Sequence, residues 1–274
     1  MTYQENYQKW LDFAELPAYL RDELVAMDEK TKEDAFYTNL EFGTAGMRGL
    51  IGAGTNRINI YVVRQATEGL AQLIDSKGEE AKKRGVAIAY DSRHFSPEFA
   101  FESAQVLAAH GIKSYVFESL RPTPELSFAV RHLHTFAGIM VTASHNPAPF
   151  NGYKVYGEDG GQMPPADADA LTDYIRAIEN PFTVQLADLE ESKANGLIEV
   201  IGENVDAEYL KEVKGVNINQ DLINEYGRDM KIVYTPLHGT GEMLARRALA
   251  QAGFEAVQVV EAQAVPDADF STVK

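Results

Sequence analysis

The 274-residue chain predicts an α/β protein: a three-layer α/β/α domain on a mostly parallel mixed sheet, followed by part of a second, similar α/β domain. Three observations carry that expectation. Two uniformly hydrophobic runs, Val86-Ala-Ile-Ala-Tyr90 and Phe136-Ala-Gly-Ile-Met-Val141, read as strands buried on both faces, which parallel sheets demand. Stretches of helical period alternate with them, and strand–helix–strand alternation implies a sheet covered by helices. The same unit then recurs after residue 229, with too few strands for a sheet of the usual ~5. The expected boundary divides the chain into residues 1–205 and 206–274.

Taken in order, residues 4–39 show helical period with mixed charge and predict short helices leading into the domain, without chemistry of their own. Between 40 and 59, glycines at 43, 46, 49, 52 and 54 interrupt short apolar pieces; close backbone approach is permitted there, and Arg48 falls in a loop of extended chain. Residues 60–84 predict one long helix, apolar at Val63, Ala66, Leu70, Leu73 and Ile74 and stopped by Gly85. The strand at 86–90 closes in Asp91-Ser-Arg93. Ser96 caps the next helix with Pro97 at its first position, and that helix stops at Gly111.

A strand at 113–117, a helix from Pro122 to near Leu133 and the strand ending at Val141 complete the alternation. A further strand is expected at 153–156 and a helix at 166–179. Asn180-Pro181 and Asp188-Leu-Glu-Glu191 read as surface connection. The strand at 197–201 returns to the first sheet. Helices at 207–213 and 221–226 open the second unit, with a strand at 230–234, the turn Thr235-Pro-Leu-His-Gly-Thr-Gly241, a helix to 252 and a strand at 256–260. Gly239-Thr-Gly241 suits either an anion cradle at a helix start or a tight strand-to-helix turn.

Composition excludes several classes. Hydrophobic residues at 45% and charged residues at 24% are ordinary for a globular domain. No apolar run approaches the ~18 residues that span a bilayer, and Met1-Thr-Tyr-Gln-Glu-Asn6 lacks the basic and apolar regions of a secretory signal, so a cytoplasmic protein is expected. The absence of cysteine rules out disulfides, thiolate metal sites and cysteine nucleophiles. A net charge of −16 repels nucleic acid and anionic membrane, so neither is an expected partner. A small anionic ligand would then need cations gathered locally, and Arg48, Arg93 and Lys154 lie in the segments that carry the motifs.

The central stretch is Thr142-Ala-Ser-His-Asn-Pro147. Pro147 cannot donate to a ladder and pushes Asn146 into an extended or turn conformation, so the strand must stop. Ser144 is thereby presented at the carboxyl end of a strand, where open α/β sheets place ligands. Ten residues on, Asn151-Gly-Tyr-Lys154 supplies a turn and a cation. On the residues alone two readings of Ser144 stay open: a turn hydroxyl bonded to its own backbone, or a reactive group. A serine hydrolase is disfavoured, because adjacent side chains on extended chain diverge and His145 is badly placed as its base, and no Gly-x-Ser-x-Gly elbow is present.

Those two segments together resemble the phosphoserine loop of the α-D-phosphohexomutases, the phosphoglucomutase and phosphomannomutase family, and within it the longer bacterial branch. Phe42-Gly-Thr-Ala-Gly-Met-Arg-Gly49 resembles the family's amino-terminal motif and Tyr90-Asp-Ser-Arg93 its Asp-x-Arg strand end, in the right order and spacing. The resemblance runs from about residue 40 to the carboxyl end. It implies that Ser144 carries and transfers a phosphoryl group, that Arg48 and Lys154 stabilise charge or move protons, and that His145 makes a supporting contact. Arg93, Asn146 and Thr44 are the implied substrate contacts.

The implied reaction interconverts hexose 1-phosphate and 6-phosphate through a hexose 1,6-bisphosphate, with a sugar phosphate as substrate and glucose 1,6-bisphosphate as activator. The implied metal is one Mg²⁺ per site, touching this chain only through the phosphate of Ser144. The family's metal loop has three aspartates. Asp167-Ala-Asp169 and Asp267-Ala-Asp269 each lack the third, so the remaining ligands are expected beyond residue 274. The chain is thus expected to be an inactive amino-terminal part of the enzyme. Phosphomannomutase or phosphopentomutase activity, a non-catalytic sugar-phosphate module and a phosphatase are the alternatives. Sugar preference and oligomeric state are open.

Overall fold

The computed structural model describes residues 2–43 and 46–273. Three helices open the chain: α1 (Tyr3–Leu11), α2 (Ala18–Ala26) and α3 (Glu29–Phe36). Thr2 and Glu5 form a reciprocal capping box on α1, satisfying two otherwise orphaned amides. These helices do more than lead in. Trp10 is 1% exposed and meets Phe36, Tyr61 and Phe182 edge-on at centroid distances of 5.8, 5.6 and 5.3 Å. Leu20, Leu24 and Phe36 enter the same core.

The first sheet follows. It comprises β1 (Met47–Leu50), α4 (Ile60–Lys77), α5 (Glu79–Arg84), β2 (Val86–Tyr90), α6 (Ser96–Ala109), β3 (Ser114–Phe117), α7 (Thr123–His132), β4 (Ala137–Val141) and β5 (Phe150–Tyr156). Then come α8 (Pro165–Ala177), α9 (Leu189–Ala194) and β6 (Ile198–Ile201). The strand order is β1-β5-β4-β2-β3-β6. β4, β2, β3 and β6 run parallel, while β5 is antiparallel to β4 and to β1. The sheet is therefore mixed, with a parallel centre.

Every residue of β2 and β4 is buried, as their all-apolar sequences require. One face of the sheet packs on α4 and α6 through Val86, Ile88, Ile139 and Val141. The other packs on α7 through Ala87, Ala89 and Met140, joined by Val205 from the helix that follows β6. These are the three layers.

Several expectations are corrected. Asn151 and Gly152, expected as a turn, lie within β5, and Ser96, expected as a cap, is the first residue of α6, whose N-cap position is Phe95. Residues 60–84 form two helices, because Gly78 takes φ 90 and breaks the run between α4 and α5. Arg48 sits on the edge strand β1, whose pairing with β5 a glycine-rich sequence conceals. Residues 189–194 form the short helix α9, capped by the Asp188 side chain on the Glu191 amide at 2.8 Å.

The chain continues with α10 (Glu203–Gly215), α11 (Gln220–Tyr226), β7 (Ile232–Tyr234), α12 (Glu242–Ala252) and β8 (Val257–Val259). β7 and β8 pair in parallel as a separate two-stranded sheet. α10 is the link. Arg121, between β3 and α7, grips Asp206 of α10 through two hydrogen bonds of 2.8 Å, and both side chains are essentially buried. Among the described residues no helix is long and apolar enough to cross a membrane.

Candidate active site at the end of β4

Beyond β4 the chain keeps Thr142 and Ala143 buried and then turns Ser144 out to solvent. Ser144 has φ 59. A left-handed non-glycine residue costs roughly 1–2 kcal/mol, so the surroundings must enforce it. They do so through a chain of hydrogen bonds. The Ser144 amide donates to Thr142 Oγ1 at 2.9 Å, and that hydroxyl donates to Asp91 Oδ2 at 2.5 Å. Asp91 Oδ1 accepts from the Arg93 amide at 3.0 Å and the Ser96 hydroxyl at 2.8 Å. Asn151 of β5 then donates to Ser96 Oγ at 2.9 Å and to the His94 carbonyl at 3.0 Å. The ends of β2, β4 and β5 and the start of α6 are thus tied to one carboxylate.

Arg93 is the other fastening. Its side chain is 1% exposed and its Nε lies 3.2 Å from Asp91 Oδ2. Nη1 donates to the carbonyls of Pro147 and Phe150, both at 2.9 Å. Nη2 donates to the carbonyls of Ser144 at 3.1 Å and Asn146 at 2.6 Å. A planar guanidinium with a fixed fork of donors suits this template role, which a lysine could not fill. The sequence suggested a substrate contact for Arg93; here its terminal nitrogens hold the serine loop.

The remaining expected residues fall around that loop. Arg48 is exposed and donates from Nη1 to Asn146 Oδ1 at 2.7 Å. It stands opposite Gly152, two residues from Lys154, so Arg48 and Lys154 share one face of the β1–β5 pair. A side chain at Gly152 would put its Cβ 2.6 Å from the Thr142 carbonyl and 2.8 Å from that of Met47, so only glycine lets the three strands close. Lys154 is partly buried and makes no hydrogen bond or ion pair among the described residues. Burial, then the nearby Arg48 charge, pull its amine below the usual lysine range, against an opposing pull from Asp91. His145 is exposed, with Nδ1 3.4 Å from Ser144 Oγ, a long and weak contact. Thr44 lies outside the described residues.

The donors near Ser144 do not by themselves make a metal site. They are cations, an amide and a carboxylate whose oxygens are both engaged, and no group of three metal-ligating side chains converges among the described residues. Asp167 lies in the first turn of α8, and Asp267 and Asp269 lie in a turn described below. A cavity of about 720 Å³ lies elsewhere, lined by residues that include Lys9, Phe42, Gln65 and Arg176; the Ser144 group stands on an open strand end.

Asp91, Thr142 and Asn151 were not singled out by the sequence as functional. Each lies inside a quoted motif, but their part is to hold backbone, which residue type alone does not announce.

A buried arginine template, a strained exposed serine and two cations on one sheet face define an α/β domain of the phosphohexomutase type. The family model described as phosphoglucomutase/phosphomannomutase α/β/α domain I matches residues 39–182, and that for domain II matches residues 207–274. The chain belongs to the phosphoglucomutase/phosphomannomutase family. It is 37% identical over 265 residues to a phosphoglucomutase of Staphylococcus epidermidis, covering 96% of this chain and 46% of that protein. It is 40% identical over 276 residues to a phosphoglucomutase of Staphylococcus haemolyticus, covering 99% and 47%. The chain therefore spans about half the length of these relatives. A crystal structure of a candidate phosphomannomutase from Thermus thermophilus superposes with a TM-score of 0.70 at 25% identity, covering 86% of this chain and 48% of that one. The open form of parafusin from Paramecium, at 19% identity and a TM-score of 0.62, shares the fold.

Proposed function

We propose that the protein carrying this chain interconverts hexose 1-phosphate and hexose 6-phosphate, with Ser144 as the phosphoryl carrier. The supporting observation is the Ser144 hydroxyl itself, exposed on a loop whose backbone one buried arginine holds. In the forward half-reaction a sugar hydroxyl attacks phosphorylated Ser144. A new O–P bond forms, the Ser144 Oγ–P bond breaks, and the sugar hydroxyl gives up its proton while Oγ regains one. The bisphosphorylated sugar turns in the site and returns its other phosphate to Ser144. Phosphoryl transfer asks mainly for positioning and neutralisation of oxygens. Arg48 and Lys154 supply positive charge on one face of the sheet, and the depressed Lys154 amine suits proton transfer better than an ordinary lysine. His145 is assigned a supporting contact. Asn146 and Thr44 are assigned to substrate, and Arg93 to the loop.

A Mg²⁺ would need ligands from outside the described residues, and every step above runs on the chain's own groups. The division into residues 1–205 and 206–274 belongs to the same proposal, as does the expectation that these 274 residues alone do not turn over.

The test is intact mass and peptide mapping of the protein as purified, before and after incubation with glucose 1,6-bisphosphate. One phosphoryl group on Ser144 is expected. Ser144→Ala should carry none, lose mutase turnover and keep its stability within about 0.5 kcal/mol, since an exposed loop hydroxyl contributes little. Turnover in that variant, or phosphate never found at Ser144, sinks the proposal. Release of free phosphate from the bisphosphate without isomerisation would indicate a phosphatase.

A further inference from the structure

The turn that follows β8 lies against the serine loop's template. Arg93 Cζ lies over the Phe270 ring, 5.1 Å from its centroid. The neighbouring Asp269 meets the neighbouring His94, Oδ1 to Nε2, at 2.7 Å. Two consecutive residues of the second unit thus engage two consecutive residues at the end of β2. The His94 carbonyl in turn accepts from Asn151, and Arg93 carries the loop.

The turn is built to hold that pose. Phe270 has φ 50, unfavourable for an aromatic residue. Asp267 enforces it, accepting from the amides of Asp269 at 2.9 Å and Ser271 at 3.0 Å, while the Phe270 amide donates to the Asp267 carbonyl at 3.2 Å. These bonds, the Ser271 hydroxyl foremost, hold the Asp267 carboxyl down at about 2. The ends of the turn are bolted to His238, 3% exposed, whose ring contacts the Val265 carbonyl at 2.9 Å and Thr272 Oγ1 at 2.7 Å. This gives a structural role to the His238 that the turn after β7 carries.

We propose that Phe270 and Asp269 are positioning residues, which set the Arg93 guanidinium and so the loop that presents Ser144. Movement of the second unit is thereby felt at Ser144 without any of its atoms touching the reacting group. For its catalytic meaning this rests on the reading of Ser144 as a phosphoryl carrier; the mechanical claim does not.

The test is NMR on the 274-residue chain with Phe270→Leu, which keeps apolar bulk and removes the ring, Phe270→Tyr, which restores it, and Asp269→Ala as an independent probe. Phe270→Leu should move the Arg93 Nε–H resonance. It and Asp269→Ala should each speed exchange of the Ser144, Asn146 and Phe150 amides by roughly threefold to tenfold, the scale of one cation–π contact or exposed hydrogen bond. Amides of β2 and α6 should keep their protection, and Phe270→Tyr should match the parent. Unchanged loop exchange in both disrupting variants overturns the proposal. So does equal acceleration in β2 and α6, or a tyrosine that fails to restore. A loop that loosens as expected in a protein never phosphorylated at Ser144 removes the mutase reading and leaves this one intact; a phosphorylated Ser144 on a loop indifferent to both residues does the reverse.

Discussion

The two sheets are written in similar sequence and end in different surroundings. Val86-Ala-Ile-Ala-Tyr90 and Ile232-Val-Tyr234 are both short apolar strands followed by a turn and a helix. Every position of β2 is buried, whereas no position of β7 is, and Val233 is 68% exposed. The exposed apolar residues gather in the second unit, among them Val216, Ile218, Leu222, Met230 and Val265. Hydrophobicity measures a strand's tendency to be covered; whether it is covered depends on layers that other elements supply.

Several experiments would break or sharpen that contrast. The largest expected difference is in native-state hydrogen exchange. Amides of β2 and β4 should open only with global unfolding, and those of β7 should exchange on the order of a thousandfold faster, because few buried contacts oppose local opening. Equal protection would erase the distinction. Next is truncation. Trp10→Ala should cost about 3–5 kcal/mol in urea unfolding, and Val233→Ala should stay within about 0.5 kcal/mol. A marginal effect at Trp10 would return the amino-terminal helices to a mere lead-in.

Two pH effects follow, one inside the first unit and one at the link between the units. Inside the first unit, His110 lies between Glu68 at 2.9 Å and Asp75 at 2.7 Å. The hydrogen bond to Glu68, with Asp75 adding to it against burial, raises its pKa from 6.5 to about 9. A raised folded-state value means that the stabilisation is fully present below about pH 6.5 and is lost as pH rises through about 9. The urea midpoint should fall over that window, and His110→Gln should flatten that part of the fall.

At the link, burial first and the adjacent Asp206 second push Glu125 up from 4.5 to about 9, while Arg121 overrides burial to hold Asp206 low. Glu125 therefore favours folding fully below about pH 4.5, and its contribution is lost as pH rises through about 9. Glu125→Gln, which keeps the uncharged shape, should change stability little near pH 5 and make the protein more resistant than its parent above pH 8. An identical pH profile in the variant would show that the buried carboxyl does not titrate as argued.

Much of the first unit was legible because its signals are local. Pro97 announced a helix start, although Ser96 opens that helix without capping it; all-apolar runs announced central strands, and Pro147 announced the end of β4. Gly85 was visible as a stop, but Gly78 was not, because a glycine inside a helical pattern is tolerated until its φ turns positive. β1 was hidden, since an edge strand of Met-Arg-Gly-Leu has no period to read. The candidate site divided in the same way. Ser144, Arg48 and Lys154 stood out as residue types that phosphate chemistry needs. Asp91 and Thr142 did not, since their work is to hold a backbone.

By itself the sequence determined most of the segments that become strands and helices, where the serine would leave its strand, and which family the chain resembles, because these depend on period, turn chemistry and motif within a few neighbouring residues. Only the tertiary structure decided that Arg93 turns inward to hold four carbonyls, that Arg48 and Lys154 share a face across Gly152, and that Phe270 settles on Arg93 from more than 170 positions away. Those outcomes come from pairing register and from the packing of distant elements, which no local stretch of chain encodes.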